Sequence, residues 1–482
     1  MEEKKQEPQI IEVNHNSKDG QYRCPGCGAS EITPNPKTGK LKCNYCGTEF
    51  DSKKIELDND IFKLKGTILG MGAKNIKKDA KDVITLKCGG CGAEVVIDTA
   101  NAPHARCHWC RSILSINSQI ENGAIPDAIL PFQLPKEEAE KKIDTFVHKR
   151  TFFAHPTFKR EFTTNNIMGV YFPYLLVDAS CHAKFAGEGE HLVRRYTVGS
   201  GDDEETRYDA DSYKVERDFN IAIDDLSIES NLDRLDKTSN EKTNNIINSI
   251  MPFDTENIIE YQSNYLVGYT SEKRDVNVEE LNNKVGAQLK DIARHSIKTD
   301  LKYYDRGIHW NEEDFKVIGS RWIAAYLPVW LYSYLQVKGD KKILHYVAVN
   351  ARTGETMGSV PINMPLLIGI SGIIELFCLF LTSFLFFAIE WDDDDNPIGL
   401  ALLLLGGFIF YGIMYARYRN KGARHTYEKE TKHMIKDIKR VDELLEHKKG
   451  LKNSVIKDRN DDKIEGDTIK PTKNIVEKLQ NK

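Results

Sequence analysis

Two long apolar runs stand out near the C-terminal end of a chain whose other segments mix polar and apolar residues. Residues 366–389 read LLIGISGIIELFCLFLTSFLFFAI and residues 398–416 read IGLALLLLGGFIFYGIMYA. Because a helix rises about 1.5 Å per residue, about twenty residues cross the roughly 30 Å hydrocarbon layer, and each run is long enough. The linker WDDDDNP is too short for a domain, so residues 362–417 are predicted to form a two-helix transmembrane hairpin.

The charges around these runs predict an orientation. The linker has no Lys or Arg, whereas basic residues follow the second run directly: Arg417, Arg419, Lys421 and Arg424. By the positive-inside rule both termini are expected in the cytoplasm. The charged segment 418–482 is then a cytoplasmic tail, with an amphipathic helix expected over 434–445 and disorder from Gly450 onward.

A few residues inside the runs bear on packing. Glu375 is ionisable and therefore needs a polar partner; it is either a functional group or, more simply, a neutral or hydrogen-bonded packing residue. Gly406 and Gly407 would let the two helices approach closely. Cys378 is expected to be an apolar filler, and aromatic residues near the helix ends suit the membrane interface: Trp391, Tyr411 and Tyr415.

Residues 119–361 mix short alternating runs with charged helical stretches, which predicts an α+β domain rich in strands. A strand over 332–337, the run ILHYVAVN and a turn at 352–354 predict an antiparallel meander. Apolar residues at helical spacing mark two helices that would pack on the sheet: Ala139, Ile143, Phe146 and Val147 in the first, and Val278, Leu281, Val285, Leu289 and Ile292 in the second.

This domain contains two similar sequence segments, which we call the internal echo. AILPFQL, a helix and GVYFPYLLVDA occur in its first half, and SIMPFD, a helix and AAYLPVWLYSY occur in its second half. The pattern predicts a degenerate duplication. The aromatic residues of these runs are interpreted as core rather than as a ligand cage: Tyr171, Phe172, Tyr174, Tyr326, Trp330 and Tyr332.

Eight of the ten cysteines fall into four Cys-x-x-Cys pairs that repeat one spacing twice. Two such turns place four thiolates around a metal in the tetrahedral arrangement that zinc prefers. A ribbon of about thirty residues has too little core to fold alone, so zinc would supply its folding free energy. We predict two structural Zn²⁺ ions, in ribbons at 21–50 and 85–118, held by eight ligands: Cys24, Cys27, Cys43, Cys46, Cys88, Cys91, Cys107 and Cys110.

Two alternatives for these cysteines are weaker. His104 and His108 flank the last pair and could replace one cysteine, but the repeated spacing favours four sulfur ligands and leaves the histidines outside the ligand set. A redox role would need one pair on a βαβ unit, whereas these pairs are matched in twos. Four sulfur ligands leave no open position for water, so the metal is expected to be structural.

Composition and charge limit the cellular compartment of the chain and the classes of molecule that it could bind. Paired thiols of this kind indicate a reducing compartment, and the polar residues 1–20 are expected to be a flexible tail rather than a targeting segment. A net charge of -5 gives no global attraction to nucleic acid. A membrane-tethered nucleic-acid-binding regulator nevertheless stays open as the alternative function, because the charged linker 51–84 carries several lysines, diluted by acidic residues: Asp58, Asp60, Asp79 and Asp82.

No catalytic or cofactor-binding motif occurs in the sequence, since GxxxxGK[ST], HExxH and GxSxG are all absent. Cys181, His182 and His191 lie near one another but lack a third partner, so they are expected to be satisfied polar or surface residues. The chain is therefore predicted not to be an enzyme.

The order of these parts, from Cys24 to about Ala416, resembles a bacterial family of transcription-factor-IIB-type (TFIIB-type) zinc-ribbon membrane proteins. The markers are CPGCG with CNYCG, then MPFD, YLVGYTSE, YLPVW and VNARTGETMGSVP, followed by the hairpin. The resemblance implies an adaptor of a phage-shock-type envelope stress system that holds a flotillin-like (SPFH) scaffold protein at the membrane. Many members carry one ribbon and this chain has two, so the resemblance does not assign the partner to either ribbon.

Overall fold

The computed structural model describes residues 9–11, 23–29, 31–35, 38, 40–51, 54–55, 60–74, 83–88, 93–98, 105–114, 119–120, 126–198, 205–230, 250–274, 276–338, 341–388, 404–419, 435–440 and 446–455, and the architecture is given for those residues. The fold class is α+β, with two clusters of cysteines near 24–46 and 88–110.

The strands, in chain order, are β1 (Gln9–Ile11), β2 (Ile32–Pro34), β3 (Leu41–Cys43), β4 (Glu49–Phe50), β5 (Gly66–Gly70), β6 (Val83–Lys87), β7 (Glu94–Asp98), β8 (Gln119–Ile120), β9 (Ala128–Ile129), β10 (Met168–Val198), β11 (Glu205–Glu229), β12 (Ile259–Glu260), β13 (Thr270–Glu272), β14 (Ile308–Lys338), β15 (Lys341–Asn350), β16 (Thr356–Gly358), β17 (Ile435–Arg440) and β18 (Glu446–Val455). The helices are α1 (Lys136–His148), α2 (Pro156–Glu161), α3 (Val278–Ser296), α4 (Met364–Ala388) and α5 (Gly406–Arg419).

One large sheet contains fifteen of the described strands, and β2, β3 and β4 form a separate small sheet in the first ribbon. The centre of the large sheet is made by β10, which pairs antiparallel with β11 on one side and β14 on the other. With 31 residues each, β10 and β14 extend over roughly 100 Å at about 3.3 Å per residue. We call these three long paired strands, β10, β11 and β14, the blade.

The two predicted helices are confirmed, and each buries the predicted face. α1 packs against β14, β15 and β16, whereas α3 packs against β10 and β11. Their inward residues are buried in two different parts of the core: Ala139, Ile143, Phe146 and Val147 in the first, and Val278, Leu281, Val285, Leu289 and Ile292 in the second. Because burial of each apolar side chain contributes about 1.5 to 3 kcal/mol, these stripes fix both helices to the blade.

The predicted meander is also confirmed, since β14, β15 and β16 pair antiparallel in sequence order. The two halves of the internal echo meet in the centre of the sheet. Phe172 pairs with Leu327, and the flanking pairs join Tyr171 to Pro328 and Pro173 to Tyr326. The two Tyr-x-Pro motifs are therefore related by a local twofold axis, and the aromatic residues around them are core, as predicted.

The structure divides the chain differently from the predicted segments at three places. β5 lies within the predicted linker 51–84, yet it pairs with β14 in the large sheet. β1, within the predicted N-terminal tail, pairs with β5. In the C-terminal tail, where an amphipathic helix and disorder were expected, β17 and β18 instead run antiparallel along β11. Sheet pairing by distant strands outweighs local helical periodicity there.

Among the described residues, α4 is the one helix long and apolar enough to cross a membrane, over the 22 residues from Met364 to Leu385. Its apolar side chains are largely exposed. The predicted second span, 398–416, is described only from Leu404, and α5 has 14 residues. α5 packs antiparallel to α4, because Tyr418 contacts the chain just before α4 while Gly407 lies beside the middle of α4.

Glu375 has the polar partner that its position requires. The backbone N–H of Gly407, in the first turn of α5, donates to the Glu375 Oε2 at 2.7 Å. A carboxyl group thus satisfies an N-terminal amide of the neighbouring helix. A Cβ at Gly407 would lie 2.4 Å from the Ser371 carbonyl oxygen, so glycine is needed for this approach.

Candidate metal centres

The first cysteine cluster brings four thiols together at the end of a small hairpin. The Sγ atoms of Cys24, Cys27, Cys43 and Cys46 all lie within 4.8 Å of one another. Cys24 and Cys46, and likewise Cys27 and Cys43, are 3.6 Å apart. A tetrahedral ion with metal–sulfur bonds of about 2.3 Å would set these separations near 3.8 Å, so the cluster fits a four-coordinate ion. A disulfide would need about 2.05 Å.

The two knuckles of this cluster share one backbone design. The Gly28 N–H donates to the Cys24 carbonyl at 2.8 Å, and the Gly47 N–H donates to the Cys43 carbonyl at 2.9 Å. Gly28 and Gly47 have φ of 76° and 75°, a left-handed conformation that glycine adopts without strain. The glycines therefore curl the chain so that both cysteines of a pair face the same point.

The thiols of the first cluster are electrostatically unequal. The hydroxyl and backbone amide of Thr48 lower the pKa of Cys46 to about 6 by hydrogen bonding to its thiolate. A hydrogen bond from the Ala29 backbone lowers the pKa of Cys27, but partial desolvation and hydrogen bonds to the neighbouring thiols outweigh it and raise that pKa to about 12. Four crowded thiols resist joint ionisation unless a cation balances them, which is what a bound metal ion does.

The second cluster contains three of its four predicted ligands within the described chain. The Sγ atoms of Cys88, Cys107 and Cys110 lie within 4.8 Å of one another, and Cys88 and Cys110 are 3.3 Å apart. Cys91 and His104 lie outside the described residues. Arg111 has φ of 64° at the position that Gly28 and Gly47 occupy in the first ribbon. Both clusters could hold a metal ion.

His108 lies between two ligands of the second cluster but points away from them into the core. Its Nε2 is 3.1 Å from the Glu272 Oε1, and its Nδ1 is 3.2 Å from the Thr270 hydroxyl. The Trp109 indole N–H donates to the same Glu272 oxygen. All four side chains are buried, so the knuckle is held by β13 of the α+β domain.

A second set of contacts attaches this knuckle to β14. The Ser333 hydroxyl donates to the His108 carbonyl, and the Arg111 guanidinium donates to the Ser333 carbonyl. Arg111 also lies 4.6 Å above the ring of Tyr332. Buried residues of this ribbon, such as Leu86 and Val95, belong to the same hydrophobic cluster as residues of the central strands. The second ribbon is thus continuous with the core.

The first ribbon is attached more lightly. Ile32 and Leu41 pack on the domain, and the Asn264 amide donates to the Ile32 carbonyl at 3.2 Å. Its knuckles face outward: Cys27 and Cys46 are exposed, and Tyr45 is 82% exposed. The two ribbons therefore have the same cysteine spacing and a buried first and third cysteine, and they differ in the exposure of the residue before the last cysteine, Tyr45 or Trp109.

Other motifs that carried the family resemblance contain residues whose polar side chains join distant parts of the described chain. The Arg352 guanidinium binds the Asp254 carboxylate in a forked contact of 2.8 and 2.6 Å. The Asn350 amide donates to the carbonyls of Ile250 and Pro252 at 2.9 and 3.1 Å. These contacts join MPFD to VNARTG, while the TSE sequence of β13 binds the second ribbon.

A partly buried carboxylate cluster is not marked by any local sequence motif. Oxygens of Asp178, Asp224 and Asp225 lie within 4.8 Å of one another. The Arg321 guanidinium donates to Asp178 at 2.8 and 2.6 Å, and the Asp225 N–H donates to Asp178 at 2.9 Å. Burial and the neighbouring Asp178 raise the pKa of Asp225 to about 7. Only the pairing of β10, β11 and β14 brings these residues together.

Cys181, His182 and His191 have different surroundings in the structure. Cys181 is buried, which raises its pKa to about 12. His182 Nδ1 lies 3.1 Å from the Asn220 Oδ1, whereas His191 Nδ1 lies 2.8 Å from the Tyr303 carbonyl. No catalytic arrangement links them within the described chain.

No protein-family model and no solved structure matches the chain. The chain is similar to YdjG, an uncharacterized protein of Bacillus subtilis (strain 168), with 25% identity over 245 residues. The similarity covers 49% of this chain and 64% of YdjG, which is less than two thirds of that protein's length.

Proposed function

We propose that the chain is a non-enzymatic, membrane-anchored zinc-ribbon adaptor whose first ribbon docks a cytoplasmic or membrane scaffold protein. The proposal rests on the contrast between Tyr45 and Trp109, which occupy the same position in the two ribbons. Tyr45 is 82% exposed, whereas Trp109 is 8% exposed. Exposed tyrosines on rigid turns are frequent binding hot spots.

The second ribbon provides a physical example of such docking. Its knuckle inserts Trp109 between Phe172 and Tyr346, with ring centroids 6.0 and 5.3 Å away, and places the indole N–H on the Glu272 carboxylate. The first ribbon carries the same turn with an unoccupied outer face. A partner that offers an apolar recess and a buried carboxylate would bind Tyr45 in the same way.

Zinc is the proposed ion in both centres, because thiolate sets of this geometry suit tetrahedral Zn²⁺. Cys24, Cys27, Cys43 and Cys46 would hold the first ion; Cys88, Cys107 and Cys110 would hold the second with Cys91. The ions would set the shape of the knuckles, and the side chains between the cysteines would make the contacts.

The proposed anchor is a hairpin of α4 and α5 in a bacterial cytoplasmic membrane. α4 is apolar over Met364–Leu385, and exposed apolar side chains continue on α5 at Phe408 and Ile413. The beginning of α4 and the end of α5 both lie at the α+β domain. This arrangement supports placing that domain and both termini on the cytoplasmic side.

The proposed partner class follows the family resemblance: a flotillin-like (SPFH) or phage-shock-type protein in an envelope stress response. Residues 21–50 carry four basic and two acidic residues, and Lys40 is paired with Asp51 at 2.9 Å. This small positive excess differs from nucleic-acid surfaces, which are strongly enriched in basic residues, so a protein is the proposed partner.

Crosslinked affinity capture from native membranes would test this adaptor role. We would compare the intact chain with Tyr45→Ala and with a matched control, Ile113→Ala, whose side chain is 69% exposed on the second ribbon. Loss of a scaffold protein with Tyr45→Ala alone is the expected result. Capture of nuclease-sensitive nucleic acid in place of protein would replace the adaptor with the tethered regulator.

A further inference from the structure

The segment between α1 and β10 lies at the root of α4. Ala154 forms a β-bridge with Ile362, and the Asn363 N–H donates to the Phe153 carbonyl at 2.8 Å. α4 begins at the next residue, Met364. We call residues 148–162 the collar.

The collar also holds the end of α5. The Phe153 N–H donates to the Tyr418 hydroxyl at 2.9 Å, and the Phe153 ring lies 6.1 Å from the rings of both Phe410 and Tyr418. The Val360 N–H donates to the Tyr418 carbonyl at 3.0 Å. These contacts fix the position of the collar along the axes of both apolar helices.

One aromatic side chain of the collar faces outward. Phe152 is 66% exposed, although its ring packs edge-on against buried Phe153 at 4.7 Å. Further exposed apolar side chains, Phe408 and Ile413, lie along α5, whose last turn the collar contacts. On α5, the rings of Tyr411 and Tyr415 stack 5.8 Å apart. Aromatic rings at a helix end favour the membrane interface.

Cationic side chains surround Phe152. Lys149, Lys159 and Arg160 are exposed, and the collar contains a single acidic residue, Glu161. The Lys159 Nζ lies 3.3 Å from the Phe152 carbonyl, so a cation sits at the base of the exposed ring. Arg150 donates to the Arg417 carbonyl at 3.2 Å, which brings a further guanidinium group to the end of α5.

We infer that the collar binds anionic phospholipid, with Phe152 at the interface and the basic side chains on headgroup phosphates. The inference rests on the proposed anchoring of α4 in a bilayer. A lipid surface fits better than a protein because exposed Phe152 and the basic side chains lie in the segment that contacts the residues directly before α4, whose apolar side chains are largely exposed. Each basic residue near an anionic leaflet strengthens attraction about fivefold.

The test uses the full-length protein in nanodiscs of phosphatidylcholine, with or without phosphatidylglycerol. Photoreactive benzoylphenylalanine replaces Phe152 in one sample and Phe380, which is 70% exposed on α4, in another. Lipid adducts are then counted by mass spectrometry. We expect adducts from both positions, and several-fold more from position 152 when phosphatidylglycerol is present.

A charge variant tests the basic residues separately. Lys149→Gln, Lys159→Gln and Arg160→Gln together should abolish the preference for phosphatidylglycerol. The matched control replaces three exposed lysines outside the collar, Lys184→Gln on β10, Lys302→Gln before β14 and Lys316→Gln on β14, and should leave the preference intact.

The possible outcomes distinguish the claim that α4 is a membrane anchor from the claim that the collar binds anionic lipid. Adducts from position 380 with none from position 152 would refute lipid binding by the collar and leave the anchor in place. Equal adducts at position 152 in both lipid mixtures would refute recognition of anionic lipid. Absence of adducts from position 380 would refute the anchor and, with it, the collar's role.

Discussion

The imidazole of His108 lies 3.1 Å from the carboxylate of Glu272, 164 residues away along the chain, and both side chains are buried. This contact ties a turn of the second cysteine cluster to the central sheet. A metal ion bound there would therefore stabilise the α+β domain as well as its own ribbon. The first cluster lacks this link and can present its knuckles to another molecule.

Replacement of Glu272 should destabilise the α+β domain. Glu272→Ala removes the acceptor shared by His108 and Trp109, and two buried donors left unsatisfied should lower the free energy of unfolding by about 2 to 4 kcal/mol. Urea denaturation would measure the loss. Glu94→Ala, which removes a half-exposed carboxylate on the adjacent β7, is the control and should change that free energy by less than about 1 kcal/mol. Equal effects would contradict the buried contact.

Loss of one metal ligand should have different consequences in the two clusters. Cys107 is buried in the core, so Cys107→Ser should release one zinc ion and lower the melting temperature of the α+β domain. Cys46 is exposed, and Cys46→Ser should release one zinc ion with little change in that temperature. Metal analysis and calorimetry would measure both quantities. A large drop in melting temperature with Cys46→Ser would show that the ribbons are not divided in this way.

Stability should depend on pH through Asp225. Its pKa is raised from 3.8 to about 7 by burial and by Asp178. The folded chain therefore binds more protons than the unfolded chain between these values, and the associated stability is lost as pH rises through about 7. Asp225→Asn should stabilise the protein at pH 8 by an amount on the order of 2 to 4 kcal/mol, and by less at pH 5.5.

Urea midpoints measured from pH 5.5 to 8.5 would check this pH dependence. The control Asp314→Asn changes an exposed carboxylate of β14, and its effect should be constant across the range. A constant difference between the wild-type protein and Asp225→Asn would contradict the raised pKa.

The packing of α5 on α4 can be tested with an introduced cysteine. A Cβ at Gly406 would lie 3.5 Å from the Cβ of Cys378, a separation that permits a disulfide. Gly406→Cys should therefore give an intramolecular crosslink under mild oxidation, detected by peptide mass spectrometry. Gly412→Cys has no neighbour within 4 Å and should give none. Crosslinking of both variants, or of neither, would contradict the antiparallel pair.

Local sequence patterns predicted the parts of the fold that local physics determines. The stripes of α1 and α3, the β14–β15–β16 meander and the cysteine turns all depend on residues close in sequence. The pairing of β5 with β14 depends on a partner about 250 residues away, and a segment rich in lysine and aspartate therefore looked like a linker.

The candidate site divides in the same way. The spacing of the cysteines identified the ligands, but the opposite exposure of Tyr45 and Trp109 depends on where each ribbon contacts the domain. The Asp178 cluster was missed because three strands must pair before its members meet. Glu375 was recognised as needing a partner, and only helix packing identifies Gly407.

Photo-crosslinking at position 45 in native membranes tests the central claim most directly. Benzoylphenylalanine would replace Tyr45 in one sample and Ile113 in the other, with adducts identified by mass spectrometry. An adaptor whose first ribbon docks a scaffold predicts one protein adduct from position 45 and none from position 113. Adducts of nucleic acid at position 45, or of the same protein at position 113 alone, would contradict it.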